Sequence, residues 1–462
     1  MTHDHPDSPT PEQVALDCLH AGIDAAHPRH VVRRKLSRDG SVLTVDGESF
    51  DLDSFSTVLV LGGGNAAGEM ATSLETTLGD YLSGGTVVTD TPAETETIEV
   101  RPGDHPLPSE RNRDATEDIL SAAEGADDET LVIAPISGGG SALLSAPAEG
   151  ISLDSFRTVT EGLLRSGADI HDINTVRRAL SSVKDGGLAE AAAPARVVGL
   201  VVSDVIGDDP AVVASGPTYS SRASAEDASA ILNEFLDDVP ADIETALETL
   251  ESAAAPSESA AVAGGDAVDS ENGTSDSGVE NVTNFVLADN WTAIDAAAER
   301  AREMAYSTLV LSSRIGGEAA EVGRTHAAIG VESAATGNPV EPPAVILSGG
   351  ETTVTVDGDG VGGPNQEFAL GATRELQGSE IVVAGVDTDG LDGSTDAAGA
   401  LVDGETVQPE DRAAARAALR DHDTYPFLDE RDALIETGET GTNVNDLRVV
   451  VVGGTDEENS SK

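Results

Sequence analysis

Short apolar runs recur along the chain at 57–61, 85–89, 131–136, 197–203, 284–288, 308–312, 344–348, 381–386 and 447–452, with longer mixed segments between them. Runs that are apolar at successive positions would be buried on both faces of a sheet, and the intervening segments are long enough for helices. The pattern predicts an α/β fold, a mostly parallel sheet with helices on either side. Residues 251–281 break the rhythm with Ala, Ser, Gly, Asp and Glu and almost no large apolar residue. This reads as a flexible acidic linker or exposed loop. It would separate an N-terminal Rossmann-like domain at 1–250 from a C-terminal α/β domain at 282–462, a division that suits 462 residues.

Several strand runs end in glycine. The run 131–136 breaks into Ser137, Gly138, Gly139, Gly140 and Ser141, then restarts as a helix-compatible segment. Glycine allows tight turns and close backbone approach, so a strand, a bare loop and a helix start predict a cradle for a phosphate or oxyanion. The run 57–61 ends in Gly62, Gly63, Gly64 and Asn65, and the run 344–348 in Gly349, Gly350 and Glu351. In an open α/β sheet such loops share the crevice beyond the carboxyl ends of the strands.

Charged residues add chemistry to these loops. Asn174, Arg177 and Lys184 occupy one helix-length piece, and on a helix Arg177 and Lys184 would lie about two turns apart on one face. There they would grip a carboxylate and a phosphate. Two further runs pass straight into clustered carboxylates, Asp204 and Asp208 after one, Asp387, Asp389 and Asp392 after the other. A carboxylate fixed at a strand end suits Mg²⁺, which prefers oxygen ligands, or would take a substrate proton. Thr442 and Asn443 sit in a polar loop before the last strand, either a second cradle or a turn, and His105, pinned by prolines on a loop between two βα units, is a secondary candidate.

The acids number 84 against 26 basic residues, for a net charge of -58. That field would repel nucleic acid and anionic lipid, and the acids are spread along the chain as befits a cytoplasm of very high salt. Lysine occurs only at Lys35, Lys184 and Lys462, which makes the placement of Lys184 informative. One cysteine, Cys18, excludes an internal disulfide. With neither a long apolar span nor a basic, apolar leader, the expectation is a soluble cytoplasmic protein acting on small molecules, a homodimer being left open.

Gly62, Gly64 and Ala67 after a strand, with Asp90 ending the next, also fit a dinucleotide fingerprint and hence an NAD(P)H-dependent reductase. The Arg177/Lys184 segment and the acidic strand ends suit phosphoryl transfer with a metal better than hydride transfer.

Taken in order, the motifs His105-Pro-Leu-Pro, Ser137-Gly-Gly-Gly-Ser-Ala-Leu, Asn174-Thr-Val-Arg, Ser203-Asp-Val-Ile-Gly-Asp-Asp-Pro, Ala214-Ser-Gly-Pro-Thr, Gly349-Gly-Glu-Thr-Thr, Asn365-Gln-Glu, Thr388-Asp-Gly and Thr440-Gly-Thr-Asn-Val-Asn-Asp resemble the glycerate 2-kinase family with a C-terminal MOFRL domain, some of whose members were labelled hydroxypyruvate reductases. The resemblance implies transfer of the γ-phosphoryl group of ATP to D-glycerate, giving 2-phosphoglycerate, with Mg²⁺. It implies nucleotide or substrate binding at Glu351, Asn365, Glu367, Thr442 and Asn443 beside the glycine loops, and Asp204, Asp208 and Asp389 as metal ligands. Two positions depart from the family pattern: Asn65 and Pro364 stand where a Lys and an Arg are usual. Arg177 and Lys184 are then expected to supply the missing positive charge.

Overall fold

In a computed structural model of the chain, residues 9–205, 207, 211–221, 224–253, 274–275, 279, 281–355 and 360–454 are described. They form two compact units, one of Val31–Leu287 and the other of Met1–His30 with Ala288–Lys462.

The first unit opens with a small antiparallel sheet, β1 (Leu36–Asp39), β2 (Val42–Val45) and β3 (Glu48–Asp51). Its main sheet comprises β4 (Thr57–Gly63), β5 (Gly84–Thr89), β6 (Glu99–Pro102), β7 (Thr130–Ser137), β8 (Arg196–Val202), β9 (Thr274–Ser275) and β10 (Val282–Ala288), in the order β6-β5-β4-β7-β8-β10-β9. The pairs β4–β5, β4–β7, β5–β6 and β7–β8 are parallel, and every residue of β7 is buried, as its unbroken apolar run predicts. All the glycine-bearing ends of β4 and β7 therefore emerge at the same edge, because parallel strands point the same way. A separate helical core, built on Phe156, Leu163, Val176, Leu232 and Ile243, carries helix Ile170–Ala179, whose N-terminus is capped by the Asp169 carboxylate.

The second unit contains β11 (Ser307–Val310), β12 (Ala344–Gly350), β13 (Ile381–Asp387), β14 (Gly399–Val402), β15 (Leu434–Ile435) and β16 (Asp446–Val452), in the order β11-β12-β16-β13-β14-β15. Among the described strands of this sheet only β11–β12 pair in parallel; β16 runs antiparallel to both β12 and β13. The parallel arrangement expected from the apolar runs thus gives way here to a mixed sheet. Burial on both faces produces the same unbroken runs whichever way a strand points.

The division of the chain also differs from a cut at 251–281. Strand β10 completes the first sheet, where the buried Asn284 exchanges hydrogen bonds with Thr218, so the boundary falls after it. Most of the expected linker lies outside the described residues. Helix Pro11–Ala26 belongs instead with the C-terminal residues. Gly22 lies so close to helix Asn290–Glu303 that an added Cβ would sit 2.8 Å from the Ala293 carbonyl oxygen. At the helix end the Thr442 hydroxyl donates to the Ala26 carbonyl at 2.8 Å.

Candidate functional site

The two glycine loops of the first unit interlock. Gly64 has φ +136 and lies so near Ser137 that a Cβ would fall 2.3 Å from Oγ. The N–H of Asn65 donates to the Gly138 carbonyl at 2.8 Å, that of Ala66 to Ser137 Oγ at 3.0 Å, and that of Gly64 to the Val88 carbonyl at 3.0 Å. The first loop, with Gly63 held in β4, thus spends its Asn65 and Ala66 amides on the second loop and its Gly64 amide on β5. The dinucleotide reading needs those amides for a pyrophosphate. In the second loop, Gly140 and Ser141 begin the short helix Gly140–Leu143, and their N–H groups make no hydrogen bond among the described residues.

Side chains crowd this second loop closely enough to exclude any Cβ. One on Gly138 would lie 2.2 Å from Asp204 Oδ2, and one on Gly139, at φ +72, would lie 1.7 Å from Asn65 Oδ1. Ser141 Oγ meets Ser215 Oγ at 2.9 Å, and Ser215 donates on to Asn174 Oδ1 at 3.0 Å. Ser215 lies in the Ala214-Ser-Gly-Pro-Thr motif but is not among the candidate residues the sequence singles out. Its signal was the Ala214-Ser215-Gly216 turn, which folds with Ala214 at φ 52 and Ser215 at φ 63, conformations that cost a non-glycine residue and cluster at functional sites.

Arg177 and Lys184 are brought to the same place by a different route from the one expected. Helix Ile170–Ala179 ends before Lys184, which stands instead in the turn leading to helix Gly187–Ala192. That turn is clipped to the Ser215 turn by Asp185 N–H to the Ser215 carbonyl at 3.1 Å and Gly186 N–H to the Gly216 carbonyl at 2.7 Å. Lys184 is 2 % exposed, and its Nζ donates to the Leu144 carbonyl at 2.6 Å, at the end of the glycine-loop helix. Burial, with the Arg177 charge beside it, pulls the ammonium down to about 7; burial likewise lowers Arg177. Neither cation forms an ion pair among the described residues, in a chain holding 84 acids. Asp204 is pushed up to about 6 by burial and has no cationic partner there either.

The remaining candidates belong to the second unit. Asp389 follows β13, its Oδ1 accepting from the Leu391 N–H at 2.8 Å and its Oδ2 from Asn443 Nδ2 at 3.3 Å. Burial raises its carboxyl, as it does that of Asp387, which Asp389 and Asp446 push further up. Asn365 Nδ2 bridges Asp446 at 2.7 Å and Asp392 at 3.3 Å. Glu367 is tied to His422 Nδ1 at 2.8 Å, while Glu351 stays exposed. The Thr442 hydroxyl donates to the helix end described above. Arg448, wholly buried in β16, donates to Asp446 and, at 2.9 Å, to Thr352. Asp208 lies outside the described residues. Among the described residues no group of three or more His, Cys, Asp or Glu is arranged to hold a metal. A Mg²⁺ ion asks less, one or two carboxylates with the rest from substrate and water. Asp204 in the first unit and, separately, the half-buried Asp389 in the second form no ion pair among the described residues, and each is a carboxylate of the kind such an ion takes.

Comparison with known proteins follows this layout. Residues 14–248 match a family model described as a domain of unknown function, DUF4147, and residues 344–446 match the MOFRL family. A Pyrococcus horikoshii protein named glycerate 2-kinase is 36% identical over 95% of this chain and 97% of its own. An Agrobacterium vitis protein provisionally named hydroxypyruvate reductase is 39% identical over 86% of this chain and 87% of its own. The crystal structure of a glycerate kinase from Thermotoga maritima superimposes with a TM-score of 0.81 at 32% identity, covering 96% of this chain and 99% of that one. The chain is therefore a member of the glycerate kinase family, an enzyme family with a DUF4147 part followed by a MOFRL part.

Proposed function

We propose that this protein is an ATP-dependent kinase that phosphorylates D-glycerate to 2-phosphoglycerate. The observation that carries the reading is the buried Lys184 with the half-buried Arg177 beside it, next to the glycine loop, neither paired to a carboxylate among the described residues. Uncompensated buried cations are costly unless an anion completes them. A glycerate carboxylate and a transferring phosphoryl group are such anions, and the Gly140 and Ser141 amides offer further donors to the same charge.

In the transfer, the 2-hydroxyl oxygen of glycerate attacks the γ-phosphorus, the bond to the ADP oxygen breaks, and the hydroxyl proton is released. The names of the relatives support glycerate as the acceptor, and the choice of the 2-position rests on the family resemblance. Little covalent work falls to the protein in such a step, so positioning and charge neutralisation carry the rate. Lys184 and Arg177 would supply neutralisation, and the Ser141–Ser215–Asn174 chain would orient the acceptor. Asp204 and Asp389 each offer an oxygen ligand for Mg²⁺, which when bound would neutralise phosphate charge; Asp208 is proposed with them. Cytoplasmic location and function in strong salt belong to the same proposal.

The provisional reductase name of some relatives gives the second reading its footing. The spent amides of the Gly62–Ala67 loop weigh against it. Incubation with D-glycerate, ATP and Mg²⁺ is expected to release ADP and form 2-phosphoglycerate, identified by phosphorus NMR. Loss of NADH with hydroxypyruvate, and no ADP from glycerate, would overturn the proposal.

A further inference from the structure

We propose that the second unit carries an additional anion site, one that takes a phosphate-bearing small molecule between helices Pro364–Leu376 and Arg412–Asp421. A cavity of about 520 Å³ opens there, within the range of small-molecule sites, and its rim holds Arg324, Arg374, Arg412 and Arg416. Basic residues are 26 of 462 in this chain, so their gathering at one cavity runs against its composition. Other cavities follow that composition. One of about 1150 Å³ is ringed by Glu75, Asp80, Glu94, Glu96 and Glu99 with no Lys or Arg, and one of about 290 Å³ by Glu244, Glu248 and Glu251.

The charge at the arginine cavity is only partly answered from within the protein. Arg324 pairs with Glu375 at 2.7 Å and lies 3.9 Å from Glu321, and Arg374 lies 3.8 Å from Glu321. Arg412 meets the neutral amide oxygen of Gln377, and Arg416 forms no ion pair among the described residues. These last two stand one helical turn apart, so their side chains share a face. Planar guanidinium groups so placed match the oxygens of a phosphate, which each can bind through two N–H groups. The floor, Leu370, Val407, Ala415 and Leu419, is apolar and suits a carbon skeleton or a base. A second, acid-bearing ligand would be held by the arginines, and a neutral one would gain nothing from them.

The test is equilibrium dialysis of the whole protein with radiolabelled pyrophosphate and, separately, with ADP. It compares the wild type with Arg416→Gln, Arg412→Gln/Arg416→Gln and Lys184→Met. Both arginines are exposed, so the substitutions should leave the fold intact, and circular dichroism verifies it. The wild type is expected to bind an equivalent of probe that Lys184→Met retains. The double variant should lose it, and Arg416→Gln alone should weaken it by at least about tenfold, the scale of one charge-assisted contact. Loss confined to pyrophosphate would show that the site reads phosphate alone; loss of ADP as well would show that it takes the nucleotide. Unchanged binding of both probes by the double variant would overturn the proposal. Because Lys184→Met leaves this equivalent in place, failure here and failure of the kinase reading are separable.

Discussion

The rarity of lysine singles out Lys184 in the sequence, since a chain that has nearly dispensed with lysine places one just before a glycine pair. What the spacing could not show is that it leaves the helix and reaches Leu144 from a turn, because helix ends depend on packing as much as on periodicity. Arg448 was missed for the opposite reason. Its place among valines in β16 makes sense only once Asp446 and Thr352 are beside it. If Lys184 and Arg177 neutralise the reacting anions, Lys184→Met or Arg177→Met should lower kcat/KM about tenfold to a hundredfold, since such contacts contribute roughly 1.5 to 3 kcal/mol. Unchanged ADP release from either variant would return that role to other residues. The pH profile follows from the same groups. The Lys184 charge is present below about 7 and lost above it, whereas the Asp204 charge is present above about 6 and lost below it. Turnover should therefore fall on the alkaline side as Lys184 loses its charge above about 7, while a Mg²⁺ held by Asp204 would keep that carboxylate ionised and move the acid limb below about 6. A profile that rises steadily toward alkaline pH would contradict the assignment.

At the scale of elements, the apolar runs located every long strand of both sheets, with ends displaced by a residue or two. Direction was not legible in the second sheet, because β16 reads the same forward or reversed. The interlock of the two glycine loops was legible only as two separate loops; that one spends its Asn65 and Ala66 amides on the other depends on β4 and β7 lying side by side. Gly139→Ala should therefore fold less stably and lose activity. Its φ of +72 disfavours a side chain, and the new methyl would meet Asn65 at 1.7 Å. Strain of this kind costs on the order of 1 to 3 kcal/mol. Pairing it with Asn65→Gly removes the clash but not the backbone strain, so partial rescue of the melting temperature is expected; full rescue would mean that the backbone conformation carries no cost. A second element-scale joint is His326, which fastens helix Ala319–Thr336 to β12. Its Nδ1 donates to the Val322 carbonyl at 2.8 Å, and its Nε2 accepts from the Ser348 hydroxyl at 2.7 Å. Burial lowers this imidazole to about 4, so the unfolded chain binds the proton first as pH falls from about 6.5. Its contribution is complete above about 6.5 and lost on the way down to about 4. His326→Gln should narrow the fall in stability across that window by an amount on the order of 3 kcal/mol, measured by urea unfolding at each pH. Parallel curves for the two proteins would exclude His326 as the source.

For the whole molecule, sequence patterning announced two units but put the cut too early. Strand β10 follows an acidic stretch yet completes the first sheet, and helix Pro11–Ala26 opens the chain yet packs with its far end. Chain order carries no sign of such a return; the Gly22 contact that permits it is visible only in space. Net charge is the one property of the whole that sequence gives outright. At -58 the folded chain gathers like charges that the unfolded chain spreads apart, so self-repulsion opposes the compact state. Counter-ions at 1 M shorten the reach of that repulsion to about 3 Å, against about 8 Å at 0.15 M. The ion pairs of the surface, such as Arg101 with Asp118 at 2.7 Å, are too few to offset it, and exposed pairs contribute little in any case. The melting temperature should therefore climb steeply with KCl up to about 1 M, where screening nears contact range, and more gently beyond. Sucrose separates this from a general exclusion effect, because it favours compact states without screening charge. A melting temperature that sucrose raises as much as KCl does, or that KCl leaves unmoved, would show that the acidic surface is tolerated without salt.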